Sequence, residues 1–327
     1  MTEQTIATTE RRPARPSPRP SGSTAGRART RPKTGNLRKG EAFWGYLLIA
    51  PTAIGLLTLS IWPAIQTFSF SFTTWGSFGG HTFTGLTNYV AVLQDPEFGQ
   101  ALINTFLFTG MTLISVPLAI GLAALLNRRG LRGVGVYRTL YFLPVVTLPA
   151  AIALVWKLLY NGDFGLVNWF LGIFGVHGVS WLANGSTAIY AIGIVSIWSS
   201  IGYNMVLFLA GMQAIPAEYY EAASIDGAGP LRQFFRITVP LITPTTFFVA
   251  VITVINSLQA FDLVYLMVGP TSPAIQNAET VVYLFYQKGI IQGQGGYAAA
   301  IVFVLLLIIL VLTLFQFRFQ KRWVHYG

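Results

Sequence analysis

The sequence has 327 residues, of which 53% are hydrophobic and only 10% are charged, and its formal net charge is +10. A soluble domain carries about 25% charged residues, so this composition excludes an ordinary soluble protein and indicates a chain with several membrane spans. The sequence has no cysteine, which excludes disulfides, thiolate chemistry and cysteine zinc sites. The three histidines, His81, His177 and His325, lie far apart in the sequence, and we predict no metal site.

The first 42 residues are predicted to form a disordered basic tail on the cytoplasmic side. Ten of the 21 Lys and Arg residues fall within the first 39 positions, in a segment rich in Pro, Ser and Thr. Such a segment cannot bury an apolar core. A tail that binds nucleic acid or lipid headgroups is the alternative. No small-residue cleavage site follows the first apolar run, so the segment is not predicted to be a signal peptide.

Six apolar stretches are long enough to cross a bilayer, which requires about 20 mostly apolar residues. The predicted spans run over residues 43–70, 101–126, 138–160, 187–215, 237–268 and 297–317. Prolines interrupt several of them, and proline in a spanning helix usually introduces a bend. Residues 43–320 are therefore predicted to form one all-α, six-span membrane domain, followed by a cytoplasmic tail over residues 321–327.

The positive charge lies almost entirely on one side of these spans. Nineteen of the 21 Lys and Arg residues fall at the two ends of the chain and in two loops, between spans two and three and between spans four and five. The two on the other side are Lys157 and Lys288. Because cytoplasmic loops carry the excess of Lys and Arg, both termini are predicted to be cytoplasmic in a multi-pass protein of the cell membrane. Topology thus explains the net charge, and no nucleic-acid partner is predicted.

The loop between spans four and five, residues 216–240, carries a helical pattern of its own. Pro216 suits a first helical position, residues 217–225 favour a helix, and glycines beginning at Gly227 end it. A second short helix is predicted over residues 231–237. The first helix is acidic, which favours docking into a groove of another protein. The alternative is a helix lying on lipid, but lipid-surface helices are rich in Lys and Arg.

The same loop carries a motif at fixed spacing: Glu-Ala-Ala, three residues, Gly, nine residues, Ile-x-Leu-Pro. The matching residues are Glu221, Ala222, Ala223, Gly227, Ile237 and Pro240, and Val239 replaces the usual Leu. This pattern resembles the EAA loop of bacterial ABC importer permeases. Stretches at residues 138–156, 165–168 and 261–265 are similar to the carbohydrate branch of that family, which includes the maltose permeases. The resemblance covers residues 43–320 and implies a type I importer permease fold, with a cytoplasmic coupling helix between spans four and five.

The resemblance implies that the EAA helix couples the spans to a separate ATPase. The coupling residues carried over to this sequence are Glu218, Glu221, Ala222, Ala223, Asp226 and Gly227. The implied partners are a second homologous permease subunit, two ATPase subunits, an extracellular substrate-binding protein and membrane lipid. No Gly-x-x-x-x-Gly-Lys-Ser/Thr loop occurs in the sequence. The chain is therefore predicted not to be an enzyme and to hold no cofactor itself, with ATP and Mg bound by the ATPase.

The resemblance also implies a sugar path on spans four and five. The candidate residues are Tyr203, Asn204, Thr253, Asn256, Ser257 and Asp262. With about 1.5 Å of rise per residue, Tyr203 lies roughly 18 Å from Ile215, near the middle of a roughly 30 Å core. The same arithmetic puts Asp262 about 33 Å from Pro240, near the outer mouth. Aromatic and amide side chains suit the apolar faces and hydroxyls of a sugar. The alternative is that these polar side chains bond to neighbouring helices.

The predicted function is the import of a mono-, di- or oligosaccharide delivered by an extracellular binding protein. The same machine importing glycerol-3-phosphate or another polar solute is an alternative, although a phosphate ester favours basic groups in the path and none is evident. A secondary transporter would need ion-coupling acids at mid-span and an inverted repeat. A membrane-embedded enzyme would need a nucleophile with a base or metal ligands at depth. The spans show neither set of features.

Overall fold

The structure is a computed structural model that describes residues 39–75, 80–128, 130–176 and 178–323. The predicted basic tail, residues 1–42, lies outside the described residues except for its last four positions, which are helical. Residues 324–327 of the predicted C-terminal tail also lie outside them. The chain divides into two compact units, one ending at Thr58 and the other beginning at Leu59.

The described part of the chain is almost entirely helical. Its helices are α1 (Lys39–Leu56), α2 (Trp62–Phe70), α3 (Thr87–Gln94), α4 (Pro96–Leu113), α5 (Ser115–Leu126), α6 (Val134–Val146), α7 (Pro149–Leu159), α8 (Leu166–Gly172), α9 (Gly185–Gln213), α10 (Ala217–Ile225), α11 (Pro230–Gln233), α12 (Val239–Leu241), α13 (Thr243–Leu258), α14 (Asp262–Met267), α15 (Ile275–Ala278), α16 (Val281–Tyr286) and α17 (Gly295–Trp323). The π-helical turns are Leu57–Ile61, Phe234–Thr238 and Gln287–Ile291. Two short strands, β1 (Thr73–Trp75) and β2 (His81–Phe83), pair antiparallel with Thr74 opposite Thr82.

Six membrane spans can be counted within the described residues. Four helical stretches are long and apolar enough to cross a bilayer: Phe43–Phe70, Pro96–Leu126, Gly185–Gln213 and Gly295–Gln320. Two bent helix pairs meet the same criterion together, α6 with α7 and the stretch Pro230–Leu241 with α13. Counting each bent pair as one span gives six, and the predicted all-α membrane fold is confirmed in this form.

The third span is sharply bent at Pro149, one of the prolines expected from the sequence to introduce a bend. Its two halves, α6 and α7, meet at 100° across Thr147 and Leu148. Pro149 begins α7, and Leu148 is extended with ψ of 134° because a residue before proline is disfavoured in the helical region. The bend therefore follows from the position of this proline.

The fifth span, predicted over residues 237–268 with prolines inside it, is also bent. The stretch that begins at Pro230 meets α13 at 66° across Ile242. Proline again lies in the first turn of the following helix, where its missing N–H is tolerated. At the far end, α13 stops at Leu258, and the next helix is a separate, six-residue segment.

Helix α9 is central to the packing of the unit that begins at Leu59, since it contacts α4, α5, α6 and α13. Glycines allow its neighbours to approach closely. A Cβ atom added to Gly202 would lie 1.9 Å from the carbonyl oxygen of Tyr141 on α6, and one added to Gly193 would lie 2.4 Å from Met111 Cε on α4. Small residues of this kind let membrane helices pack backbone to backbone, so the bent third span is fixed against α9.

A polar cluster joins the start of α4 to the segment between α14 and α17 and to the first turn of α17. Lys288 Nζ forms an ion pair with Glu97 Oε2 at 2.5 Å, and Tyr297 donates a hydrogen bond to Asp95. Glu279 is 2% exposed. Burial, reinforced by the negative charge of Glu97, raises the pKa of Glu279 to about 8. The Glu279 carboxyl group is therefore mostly protonated at neutral pH.

Candidate functional site

A cavity of about 450 Å³ lies between α4, the bent third span, α9, α13 and the start of α14. Its volume falls within the range of small-molecule sites, roughly 300–1,000 Å³. Pro144, Thr147 and Pro149 line one side of it. The bend in the third span therefore contributes directly to the wall of the cavity.

All six predicted substrate-path residues line this cavity. They are Tyr203, Asn204, Thr253, Asn256, Ser257 and Asp262. Three of them, Tyr203, Asn256 and Asp262, have exposed side chains, whereas the other three are buried. The exposed three can reach a solute in the cavity, and the buried three form the wall behind them.

Hydrogen bonds within the protein hold the buried residues in place. Asn204 Nδ2 donates to Ser115 Oγ on α5 at 3.0 Å. Ser257 Oγ donates to the carbonyl oxygen of Thr253 at 2.6 Å. The alternative considered from the sequence, polar side chains that bond to neighbouring helices, thus describes Asn204, whose amide links two spans.

Asp262 and Asn256 both line the cavity, and the helix breaks between them. The chain leaves the helical path after Leu258, and Asp262 then begins α14. The rise of a continuous helix does not apply across this break, and the place of Asp262 near the outer mouth stays a prediction.

Sequence reasoning missed a row of serines on α9. Ser196, Ser199 and Ser200 line the cavity together with Tyr203. Steps of three and four residues place them on one face of the helix, and this polar stripe within an apolar span is the signal that could have found them. Among the described residues, the Ser199 hydroxyl is one of the few buried side-chain polar groups without a hydrogen-bond partner.

The lining of the cavity is polar but almost uncharged. Among the described residues that line it, Asp262 is the one charged side chain, and no Lys or Arg is present. Tyr203, Phe108 and Phe261 supply aromatic rings, and Phe261 stacks on Tyr265 with ring centroids 5.3 Å apart. No group of three or more His, Asp or Glu side chains that could hold a metal ion occurs in the described ranges. The arrangement suits hydroxyl groups and ring faces.

The predicted coupling helix is present as α10, with the bounds expected from the sequence, and a glycine turn ends it. Pro216 is the residue before the helix rather than its first helical residue. Gly227 adopts φ of 72°. Its amide donates to the Ser224 carbonyl at 3.1 Å, and the Ala228 amide donates to the Ala223 carbonyl at 2.9 Å. These two bonds form a Schellman motif, in which glycine is favoured at the left-handed position.

Most of the predicted coupling residues are exposed. Glu218, Glu221, Ala222, Asp226 and Gly227 are exposed, and Ala223 is half-buried. Ile225, at the end of the same helix, is 87% exposed. An acidic surface that also presents a large aliphatic side chain is suited to contact with another protein.

Direct hydrogen bonds connect α10 to the segment that follows the glycine turn. Tyr220 Oη and Thr238 Oγ1 share a hydrogen bond of 2.9 Å. Gln233 Nε2 donates to Ser224 Oγ at 3.0 Å and to the Ala228 carbonyl at 2.9 Å. Since this segment continues into α13, the coupling helix is bonded to the chain that lines the cavity.

Apolar helices around a polar cavity, with an exposed acidic helix bonded to one of them, define a membrane transport permease. Residues 115–325 match the family described as binding-protein-dependent transport system inner membrane component. The chain belongs to this family, and the membership implied by the EAA loop is confirmed.

Relatives of known name are similar over most of the chain. The sn-glycerol-3-phosphate transport system permease protein of Agrobacterium fabrum is 38% identical over 287 residues, which cover 86% of this chain and 96% of that protein. The trehalose/maltose transport system permease protein of Thermococcus litoralis is 37% identical over 241 residues, which cover 72% of this chain and 80% of that protein. These relatives are transport permeases rather than enzymes, and the chain is likewise a transport subunit.

Solved structures show the same fold. A bacterial ABC transporter involved in the import of the acidic polysaccharide alginate has a chain that is similar with a TM-score of 0.78 at 24% identity, covering 86% of this chain and 96% of that one. A second structure of an alginate transporter, in complex with an alginate pentasaccharide-bound periplasmic protein, matches equally well by TM-score. The family match and the named relatives, rather than these structures, identify the chain as a multi-pass inner-membrane permease of a binding-protein-dependent transport system.

Proposed function

We propose that this permease carries an uncharged sugar, of mono-, di- or oligosaccharide size, through the cavity beside α9 and α13. The cavity lining is the observation that supports it: hydroxyl, amide and aromatic groups surround the space, with Asp262 as the single charge among the described lining residues. Such a lining bonds to hydroxyls and covers sugar rings without forming an anion site. Tyr203, Asn256 and Asp262 contact the sugar, and the buried residues beside them hold the wall.

The coupling helix α10 docks on a separate ATPase in this proposal. Two ATPase subunits bind ATP and Mg, and a second homologous permease subunit completes the path. The exposed acidic surface and the fixed turn at Gly227 support this assignment. Glu221→Lys would place a cation where a basic partner is expected, and like charges at an interface cost on the order of a few kcal/mol. The ATPase should then be lost from the purified complex, while Arg128→Gln, a charge change in another loop, leaves it bound.

Both termini and the coupling helix lie on the cytoplasmic side in the proposed orientation. It places 19 of the 21 Lys and Arg residues on the cytoplasmic side, as expected because cytoplasmic loops carry the excess of positive charge. The opposite orientation would place these charges outside and the acidic coupling helix away from ATP. Substrate then reaches the cavity from the extracellular binding protein, and solute leaves on the side of α10.

A phosphate ester is the second candidate solute, because the Agrobacterium fabrum relative carries the name of a glycerol-3-phosphate permease. A phosphate monoester carries about −1.5 to −2 charges at pH 7 and favours Arg or Lys. The described cavity lining offers a carboxylate instead. If the solute is a phosphate ester, the second permease subunit would have to supply the Lys or Arg side chains that bind the phosphate.

Uptake into proteoliposomes that hold the whole transporter and its binding protein tests the proposal. We expect ATP-dependent accumulation of a labelled sugar such as trehalose or maltose, and none of glycerol-3-phosphate. Asn256→Ala should reduce sugar uptake several-fold, whereas Gln94→Ala, at an exposed position outside the cavity, should not. Accumulation of glycerol-3-phosphate in place of any sugar would overturn the proposal.

A further inference from the structure

The segment Pro230–Leu241, which we call the elbow, has two different faces. Its inward side chains, Gln233 and Thr238, bond to the coupling helix as described above. Its outward side chains are exposed: Leu231, Arg232, Phe235 and Arg236. The four-residue spacing within each pair places both arginines and both apolar residues on one face. The inward bonds therefore fix which side of the elbow faces away from the rest of the chain.

The outward face contains an open groove of about 500 Å³. It is lined by Gly229, Pro230, Leu231, Arg232, Phe235 and Arg236. Leu231 is 72% exposed and Phe235 is 61% exposed. Neither arginine forms an ion pair or a hydrogen bond through its side chain with any other residue in the described ranges. Two unneutralised cations thus lie beside two large apolar side chains.

The position of the elbow along the chain puts this groove at the edge of the membrane. The elbow meets α13 at 66°, and spanning helices are tilted by only about 20° on average from the bilayer normal. A span along α13 therefore leaves the elbow inclined toward the membrane plane. Arg236 precedes Thr243, the first residue of α13, by about 10 Å at a helical rise. The 66° bend leaves only about 4 Å of this along the axis of α13, which lies within one headgroup layer of about 5–7 Å.

We propose that this groove binds the headgroup of an anionic phospholipid in the cytoplasmic leaflet. Arg232 and Arg236 contact the phosphate, since guanidinium groups match phosphate oxygens, and Leu231 and Phe235 enter the acyl boundary as in interfacial helices. The coupling helix next to it is acidic and repels such lipids. The two halves of the loop are therefore divided by charge, with α10 facing a protein and the elbow facing lipid.

Titration of phosphatidylglycerol into the detergent-purified transporter, followed by native mass spectrometry, tests the proposal. The double variant Arg232→Gln/Arg236→Gln should bind this lipid roughly thirtyfold more weakly, as expected for the loss of two basic residues at an anionic surface. The control Arg128→Gln/Arg132→Gln removes the same charge from two exposed arginines four residues apart in another loop, and it should bind as the wild type does. Phosphatidylcholine should show no difference among the three proteins.

The charge-preserving variant Arg232→Lys/Arg236→Lys separates loss of charge from loss of folding, and it should retain phosphatidylglycerol to within a few-fold. Equal binding of phosphatidylglycerol by the wild type and the elbow double glutamine variant would overturn the proposal. So would loss of the ATPase subunit from that variant with lipid binding unchanged, because the groove would then be a contact for the ATPase.

Discussion

Breaking the hydrogen bond between Tyr220 and Thr238 should loosen the coupling helix from the chain that leads into α13. The two oxygens are 2.9 Å apart, and a neutral hydrogen bond of this kind contributes about 0.5–1.5 kcal/mol net. The two ends of the bond are not equivalent, because Thr238 is buried while Tyr220 is half-buried. Tyr220→Phe leaves the buried hydroxyl of Thr238 without this partner and should lower the free energy of unfolding by about 1–3 kcal/mol. Thr238→Val leaves the hydroxyl of Tyr220, which water can reach, and should lower it by less.

A double-mutant cycle measures this bond through the thermal midpoint of the purified transporter. The double variant Tyr220→Phe/Thr238→Val contains neither hydroxyl, so its cost should fall about 1 kcal/mol below the sum of the single variants. For domains of 150–250 residues, 1 kcal/mol corresponds to roughly 2–4 °C, and we expect a shift near the lower end for this longer chain. The control is Thr246→Val, which removes a hydroxyl on α13 that is bonded at 3.0 Å to the carbonyl of Ile242, the residue just before this helix.

The functional readout of the same cycle is the amount of solute transported per ATP hydrolysed. If the bond transmits movement from α10 to the cavity, Tyr220→Phe and Thr238→Val should each lower this ratio, whereas Thr246→Val should not. Additivity of the single variants to within about 0.3–0.5 kcal/mol would show that the two side chains do not interact. An unchanged ratio in both variants would refute the role of the bond in coupling.

Three further predictions concern stability and orientation. Burial raises the pKa of Glu279 from 4.5 to about 8, so the protonated carboxyl group stabilises the folded protein fully below about pH 4.5. This stabilisation declines as the pH rises toward 8, by up to about 1.4 kcal/mol per pH unit. Glu279→Gln should flatten the fall of the thermal midpoint over this interval, and a pH profile equal to that of the wild type would contradict the assignment. Gly202→Ala should cost about 1–3 kcal/mol by overpacking against a carbonyl of α6, whereas Gly110→Ala, with no atom within 4 Å of its added Cβ, should be neutral or stabilising by thermal denaturation. An impermeant maleimide should label Gln276→Cys in intact cells and Arg128→Cys only after permeabilisation, and the reverse result would invert the orientation.

The features that depend on local sequence could be predicted. The bounds of α10 follow from helix-permissive residues between Pro216 and the glycines that begin at Gly227, and the left-handed conformation of Gly227 is one that glycine adopts at little cost. The positions of the spans follow from apolar length alone. The six substrate-path residues were chosen by alignment to the family motif. All six line one cavity in the structure.

The features that depend on tertiary packing could not be predicted. Pro117 and Pro149 look alike within an apolar run, yet Pro149 lies at a 100° bend while Pro117 lies inside the candidate span Pro96–Leu126. The direction of a side chain such as Asp262 depends on where α13 ends, and no Gly or Pro marks that end. The spacing of the serines around Ser199 could be read from the sequence. That they line a cavity could be seen only once the neighbouring helices were placed.

Protection of a single cysteine in the cavity by sugar tests the central claim most directly. The sequence has no cysteine, so Asn256→Cys introduces one reactive group beside the proposed path, and Gln94→Cys provides a matched exposed position outside the cavity. With the binding protein and ATPase present, a saturating transported sugar should slow maleimide labelling of the Asn256→Cys variant several-fold and leave the Gln94→Cys variant unchanged. Equal labelling of Asn256→Cys with and without sugar, in a transporter that still takes up sugar, would contradict the claim that solute passes through this cavity.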